Sequence, residues 1–371
     1  MKNYTRIEID PKIILYALGM VAVLLLGWQI RSVLIMLFIA FILNAGLRPL
    51  VDALEARKIP RMVSILIIYF GIFALLVSLF LITANQFVTQ AALLINALPE
   101  IYDRVVLFIR GNIPVLANIL PLQSIQTELG QFVNDALRSG FVSGQNFIDI
   151  ANQAVGTFGS VANLFIQIFT VVMVSVFMLQ RKDDVYEGIL SLIPDNMAAS
   201  GRHLLRKIQN SLGAWLIGQI LLMILIGVLI YLIVLLPGLF DPTYTLSQYA
   251  LPIAIFAGLL EALPNLGPII TLIFASALAL GTSGLGTVVY VVIAFTAAQT
   301  LEANLIVPVL MKRAVGIDPI LTMLGIIAAF ELAGPIGALV IVPVIAVVQI
   351  TVVEVAKEYK RVEKMRPKLM A

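Results

Sequence analysis

The stretch Leu260-Glu261-Ala262-Leu263-Pro264-Asn265-Leu266-Gly267-Pro268-Ile269-Ile270 decides how the chain is read. It is a polar, Gly/Pro-broken knot between two apolar flanks, residues 251–260 and 269–280. Flanks of that composition belong in lipid, where a chain must pair its own amides. Two prolines this close forbid a continuous helix. The break therefore needs a protein-lined shelter at membrane depth. Broken helices at that depth commonly mark substrate or ion sites.

Composition sets the surroundings. The 371 residues are 61% hydrophobic and 12% charged, with a mean hydropathy of +1.04. A soluble domain carries about 25% charged residues. The expected fold class is an all-α polytopic membrane protein. The net charge of +3 belongs to cytoplasmic loops of such a protein rather than to a nucleic-acid surface. There is no cysteine, which excludes disulfide and thiolate chemistry. The single histidine, His203, lies in a basic polar segment without a second histidine or a cysteine to share a metal. Neither HExxH nor GxxxxGK[ST] occurs. Gly281-Thr282-Ser283-Gly284 resembles the serine motif of intramembrane proteases but lacks a membrane-embedded histidine base. No enzyme activity, cofactor or metal is expected.

Outward from the knot, apolar runs recur. Residues 13–30 and 33–47 read as two arms of a hairpin that turns at Arg31-Ser32. Four basic residues from Arg48 to Arg61 place the next loop, and with it the N-terminus, in the cytoplasm. Residues 1–84 form scaffold spans, the third being 62–83. Residues 85–156 change character: Phe87, Ala91, Leu94, Leu98, Ile101, Val105 and Phe108 follow a heptad spacing that Pro99 interrupts. This predicts two or three extracytoplasmic amphipathic helices, which cover each other or meet a neighbouring subunit. Residues 157–211 hold a returning span and an amphipathic cytoplasmic helix opened by Pro194-Asp195. Residues 212–353 form the core, and 354–371 a charged cytoplasmic tail.

The core contains two similar units. A full span, 215–236, precedes the hairpin broken at Pro264–Pro268. A second span, 287–307, precedes a hairpin broken at Gly334-Pro335-Ile336-Gly337. Loop charge gives the units opposite orientations, and inverted, interrupted repeats point to a secondary-transporter core. The hairpin arms are short for a span, which needs about twenty residues. The expectation is about five full spans plus two re-entrant hairpins, with eight or nine spans as the alternative.

Within this core the candidate site residues are Glu261, Asn265, Gly267, Gln299, Glu302, Asn304, Gly334 and Gly337, with Pro264, Pro268 and Pro335 holding the breaks. An ionisable side chain in a membrane helix costs roughly 2.5–3.5 kcal/mol on insertion scales, which makes Glu261 and Glu302 functional candidates. Gln299 shares a helical face with Glu302, whereas Asn304 points elsewhere; Glu261 and Asn265, four apart, would share a face on a helix. A carboxyl there could exchange a proton or hold a small cation. The plain alternative is a glutamate bonded to an amide freed at the break. The tips are expected to meet near mid-membrane, with Glu302, Gln299 and Asn304 lining the site.

Several of these motifs together resemble one family. Leu212-Gly213-Ala214-Trp215-Leu216-Ile217-Gly218-Gln219, Glu261-Ala262-Leu263-Pro264-Asn265-Leu266-Gly267-Pro268, Gln299-Thr300-Leu301-Glu302-Ala303-Asn304-Leu305-Ile306-Val307-Pro308 and Gly334-Pro335-Ile336-Gly337 are similar to AI-2E family patterns. Asp318-Pro319 departs from the His-Pro frequent there. The resemblance implies a secondary transporter exporting a small polar solute, autoinducer-2 for some members, or Na⁺(Li⁺)/H⁺ antiport for others. It further implies a multi-pass protein of a prokaryotic plasma (inner) membrane with both termini cytoplasmic. It implies a homo-oligomer, a pentamer, with elevator-like movement of the hairpin core. The partners are then the solute, H⁺ or Na⁺, and the lipid bilayer. A passive channel and a non-transporting assembly protein are the rival readings.

Overall fold

The computed structural model describes residues 19–21, 25–112, 114–138, 158–181, 184–191, 194, 197–310 and 319–369; the described residues form helices and no strand. In chain order these are α1 (Arg31–Glu55), α2 (Arg61–Asn112), α3 (Pro114–Ile119), α4 (Leu122–Arg138), α5 (Phe158–Gln180), α6 (Asp184–Leu190) and α7 (Ala198–Phe240). A 3₁₀ turn at Thr245–Tyr249 leads into α8 (Ala250–Leu260), α9 (Leu266–Ser283) and α10 (Leu285–Leu301). A π-helical turn at Glu302–Ile306 joins α10 to α11 (Val307–Leu310), and α12 (Pro319–Leu369) ends the chain. Among the described residues, six helices are long and apolar enough to cross a membrane. Their outward faces carry large apolar side chains, Phe70, Phe73, Leu81, Ile224 and Ile293 among them, which suits a lipid solvent. The chain is a polytopic helical membrane protein.

Three expectations from the sequence need correcting. The chain does not reverse at Arg31-Ser32. Ile30 N–H donates to Leu26 O at 3.0 Å and Leu34 N–H to Ile30 O at 3.1 Å, so the flanking helices join at one distorted residue, Ile30 (φ −96°, ψ 13°), without a loop. No Gly or Pro stands there to part them, and the Arg31 guanidinium lies 4.4 Å from the centre of the Trp28 ring. Second, the third span, Arg61–Ile82, does not end in a break: its helix, α2, continues through Pro99 to Asn112. Third, the amphipathic helix and the span after it are one element, α7, and Pro237 lies inside it. Of the heptad region, Leu98 packs on the buried pair Ile95 and Val133, which ties α2 to α4; most of the other seam side chains, and Asp318, lie outside the described residues.

The end of the molecule bearing Arg48, Arg57, Lys58 and Arg61 is its basic end. There Arg61 joins three elements. It reaches Asp52 at 2.9 Å and Glu55 at 2.6 Å, and its Nε donates to the Leu179 carbonyl of α5 at 2.7 Å. Leu47, Val51, Ile65, Val176 and Leu179 pack beside it. Where α1 meets α7, small residues bring the backbones close. A Cβ on Gly213 would stand 2.6 Å from the Ala45 carbonyl oxygen.

Both broken segments fold back on themselves. The first hairpin is α8 and α9. Its open end is tied by Thr245, whose hydroxyl donates to Thr282 O at 2.8 Å, and by the Leu246 N–H, which donates to the Ser283 hydroxyl at 3.1 Å. Its core packs against α7 and α10 through Ile226, Ile230, Ile253, Phe274, Leu278, Val291 and Phe295. The second hairpin lies within α12, whose helical geometry is broken at Ala333 (φ −143°, ψ 16°) and Gly334 (φ 63°, ψ −152°). Gly337 then packs on the Ala329 backbone, and Gly325 faces Ile341 and Ile345. The two hairpins point in opposite directions. The first has its open end beside the far end of α7. The second has Ile350 packed beside Ala45 and Leu212 near the basic end, and its tip beside Arg31 at the far end of α1.

Candidate functional site

The site is built by the way the first hairpin turns. Pro264 has no N–H to give the Leu260 carbonyl, so α8 cannot continue. The Leu263 N–H takes that carbonyl instead, at 2.8 Å, and the Gly267 N–H bonds Leu263 O at 2.9 Å. Asn265 turns the chain at φ 66°, ψ −36° and caps α9. Pro268 falls in the first turn of α9, where a missing N–H costs no helical bond. Glu261 and Asn265 therefore sit on opposite sides of a turn, not on one helical face. Gly267 has to be glycine: a Cβ would overlap the Leu260 carbonyl.

This turn presents Glu261 to its neighbours with 4% of its surface exposed. Its backbone carbonyl accepts from Gln219 Nε2 of α7 at 2.8 Å, inside the protein. Its carboxyl lies beside that of Glu302. Glu302, also buried, accepts from Gln299 Nε2 at 2.9 Å. A hydrogen bond between two such carboxyl groups would need a proton on one of them.

The π turn aims Glu302. Pro308 cannot donate to the carbonyl of Asn304, and the helix widens upstream so that the Val307 N–H bonds Glu302 O, five residues back. Such turns are rare and frequently lie at functional sites. Gln219, Glu261, Gln299 and Glu302 thus form one polar cluster where α7, the first tip and α10 meet.

The other predicted residues lie elsewhere. Asn265 is exposed at the tip. Asn304 is exposed, and its amide donates to Thr300 O of its own helix at 2.8 Å. Gly334, Pro335 and Gly337 make the second tip, whose neighbours are different. Ala333 and Ile336 line a cavity of about 440 Å³ together with Arg31, Ser32, Ile35 and Gln167. The sequence reading therefore missed two things: that Glu261 and Glu302 are partners, and that Gln219 holds the tip. An amide inside an otherwise apolar span was the available signal for Gln219, and likewise for Gln167 in α5. Among the described residues, no group of three or more His, Cys, Asp and Glu side chains is placed to hold a metal ion.

A polytopic helical protein with two oppositely directed, Gly/Pro-broken hairpins belongs to the class of membrane transporters, and comparison with known proteins agrees. The AI-2E family transporter model matches residues 13–357, and the chain belongs to that family. It is similar to proteins named "Putative transport protein": YrrI of Bacillus subtilis (strain 168), 24% identical over 87% of each chain. YueF of the same organism is 24% identical over 84% of this chain and 81% of its own. MT0215 of Mycobacterium tuberculosis (strain CDC 1551 / Oshkosh) is 26% identical over 88% and 84%.

Proposed function

We propose that the protein is a secondary transporter that exports a small polar, autoinducer-2-like solute in exchange for protons carried by the Glu261–Glu302 pair. The observation that carries this reading is the pairing of two buried carboxyl groups, Glu261 and Glu302, at the first hairpin tip. One proton holds the pair together. Losing it leaves two like charges in contact, a state that a bound cation or an aqueous opening would relieve. The pair is thus a proton-dependent latch between the tip and α10.

The hairpins are re-entrant on this reading. The first arm of the second hairpin, 319–332, and the first arm of the first, Ala250–Leu260, are roughly 21 and 17 Å long at 1.5 Å per residue. Both fall short of a bilayer core of about 30 Å. Elevator-like movement is supported by the cavity beside the second tip, which leaves that tip room to shift against α1 and α5. The basic end is cytoplasmic by loop charge, in a prokaryotic inner membrane. The working unit is a homo-oligomer, a pentamer by family resemblance. Its subunits meet on outward faces that carry polar groups, such as Thr296 and Thr300 on α10 and Asn304 in the π turn.

The test is efflux of autoinducer-2 from proteoliposomes under an imposed pH gradient. The wild type should respond to the gradient and Glu302→Gln should not; an equal response in both overturns the assignment. A second reading has one observation in its favour. Two carboxylates flanked by the Gln219 and Gln299 amides also suit a small monovalent cation, so Na⁺/H⁺ antiport is the alternative that Na⁺ flux in the same vesicles separates.

A further inference from the structure

A second, smaller cavity of about 230 Å³ opens at the basic end, where α1, α6 and α7 meet. Arg48 of α1 and Arg202 and Arg206 of α7 line it with Gln209. Residues 202, 206 and 209 are spaced four and three apart, which puts them on one face of α7. The amide of Gln209 is the informative group. Its side chain is buried, with 7% of the residue exposed. Its Oε1 accepts from Arg48 Nη1 at 3.2 Å, which turns Nε2 the other way, and Nε2 has no acceptor among the described residues. A buried donor left without an acceptor is costly, and native structures seldom keep one.

The charges around the cavity are unequal. Glu187 Oε1 accepts from Arg202 Nη2 at 2.9 Å, in a pair with both side chains at least half exposed. Asp52 lies 3.8 Å from Arg48 Nε and also bonds Arg61. Among the described residues, two carboxylates, one of them shared with Arg61, pair among the three guanidinium groups that line the cavity. Planar guanidinium forks and an amide N–H converging on one space suit a tetrahedral oxyanion. Depth narrows the class. The apolar stretch of α7 begins at Leu212, one turn past Gln209, and that of α1 ends at Arg48. The cavity therefore lies at headgroup level, where basic pockets between helices meet anionic lipid.

We propose that this cavity binds a phosphate group, either the phosphodiester of an anionic phospholipid or a free phosphate, and that the bound group joins α7 to α1. The Gln209 Nε2–H and the Arg48 and Arg206 guanidinium groups donate to its oxygens. The site is separate from the Glu261–Glu302 cluster, so its test does not depend on transport.

The test uses the purified full-length protein in detergent. Native mass spectrometry counts retained phosphatidylglycerol and phosphatidylcholine, and inorganic phosphate is titrated as a competitor. The wild type should retain phosphatidylglycerol selectively. Displacement by millimolar phosphate assigns the site to the phosphate group itself, and displacement only by short-chain phosphatidylglycerol assigns it to the lipid. Arg206→Gln and Gln209→Glu should weaken retention at least about tenfold, because each removes or opposes a charge-assisted bond. Arg206→Lys should keep most of it, and Arg57→Gln, the same charge change at an exposed position, should change nothing. Equal retention of the two lipids by the wild type, or losses in Arg57→Gln matching those in Arg206→Gln, would overturn the proposal. The lipid selectivity of the wild type decides the question even where a variant does not fold.

Discussion

Gln219 Nε2 lies 2.8 Å from the backbone carbonyl oxygen of Glu261 and donates to it, within the protein interior. The bond joins α7 to the first hairpin tip at the residue whose carboxyl meets Glu302. Gln219→Leu would remove the donor and leave a buried carbonyl unpaired, at a cost of about 1–3 kcal/mol. The expected result is a lower melting temperature in detergent, together with a larger fractional loss of solute efflux than the loss of folded protein. Gln219→Glu, which adds a third carboxyl beside the pair, should be worse than Gln219→Leu in efflux.

Glycines in the first hairpin separate two causes of intolerance. Gly267 fails on space, since a Cβ would overlap the Leu260 carbonyl. Gly284 fails on backbone conformation alone: it sits at φ 84°, ψ −176° with open space around it, a region essentially restricted to glycine. Gly281 has neither constraint. Gly267→Ala and Gly284→Ala should each destabilise by about 1–3 kcal/mol, whereas Gly281→Ala should be neutral or slightly stabilising. Thermal unfolding of the three variants checks the order.

Asn265 holds a positive φ without being glycine, and its side chain is exposed at the tip. Asn265→Gly should preserve or raise stability, because glycine adopts that backbone freely. Asn265→Ala should lower stability by about 1 kcal/mol. Efflux lost equally in both variants would show that the amide touches the solute. Efflux lost only in Asn265→Ala would show that the residue serves the turn.

Much of this arrangement was legible in the sequence, and the failures have physical reasons. Pro264, Gly267, Pro268, Gly334 and Pro335 announced both turns: Pro264 ends a helix, Pro268 and Pro335 suit a first helical turn, Gly267 allows a close backbone approach and Gly334 takes a positive φ. Gln299 and Glu302 were placed on one face by spacing alone. The Glu261–Glu302 contact was not readable, since it depends on how far the first hairpin descends beside α10, and no local pattern encodes that depth. The π turn was equally hidden; Pro308 showed that a bond was missing, not that the helix would widen upstream to replace it. Arg31-Ser32 misled because two polar residues between apolar runs look like a loop. A helix tolerates them when a guanidinium can lie on the Trp28 ring.

Arg61 binds Asp52, Glu55 and the Leu179 carbonyl, and its side chain is largely covered, at 15% exposure. Arg61→Gln would leave two carboxylates and a carbonyl without their shared donor, lowering stability by about 1.5–3 kcal/mol. Arg61→Lys should recover only part of this, because one ammonium cannot reproduce the forked contacts. Loss of folded protein by size-exclusion chromatography after mild heating ranks the variants.

The central claim, that Glu261 and Glu302 share a proton that exchanges during transport, is tested most directly by counting protons. Purified protein in weakly buffered detergent, with a pH indicator, is challenged with Na⁺ and then with autoinducer-2. The account predicts stoichiometric proton release with one of the two ligands in the wild type, and none in the Glu261→Gln/Glu302→Gln double variant, which can keep a hydrogen bond between the paired side chains without an exchangeable acid. Proton release that is equal in the wild type and the folded double variant would contradict it.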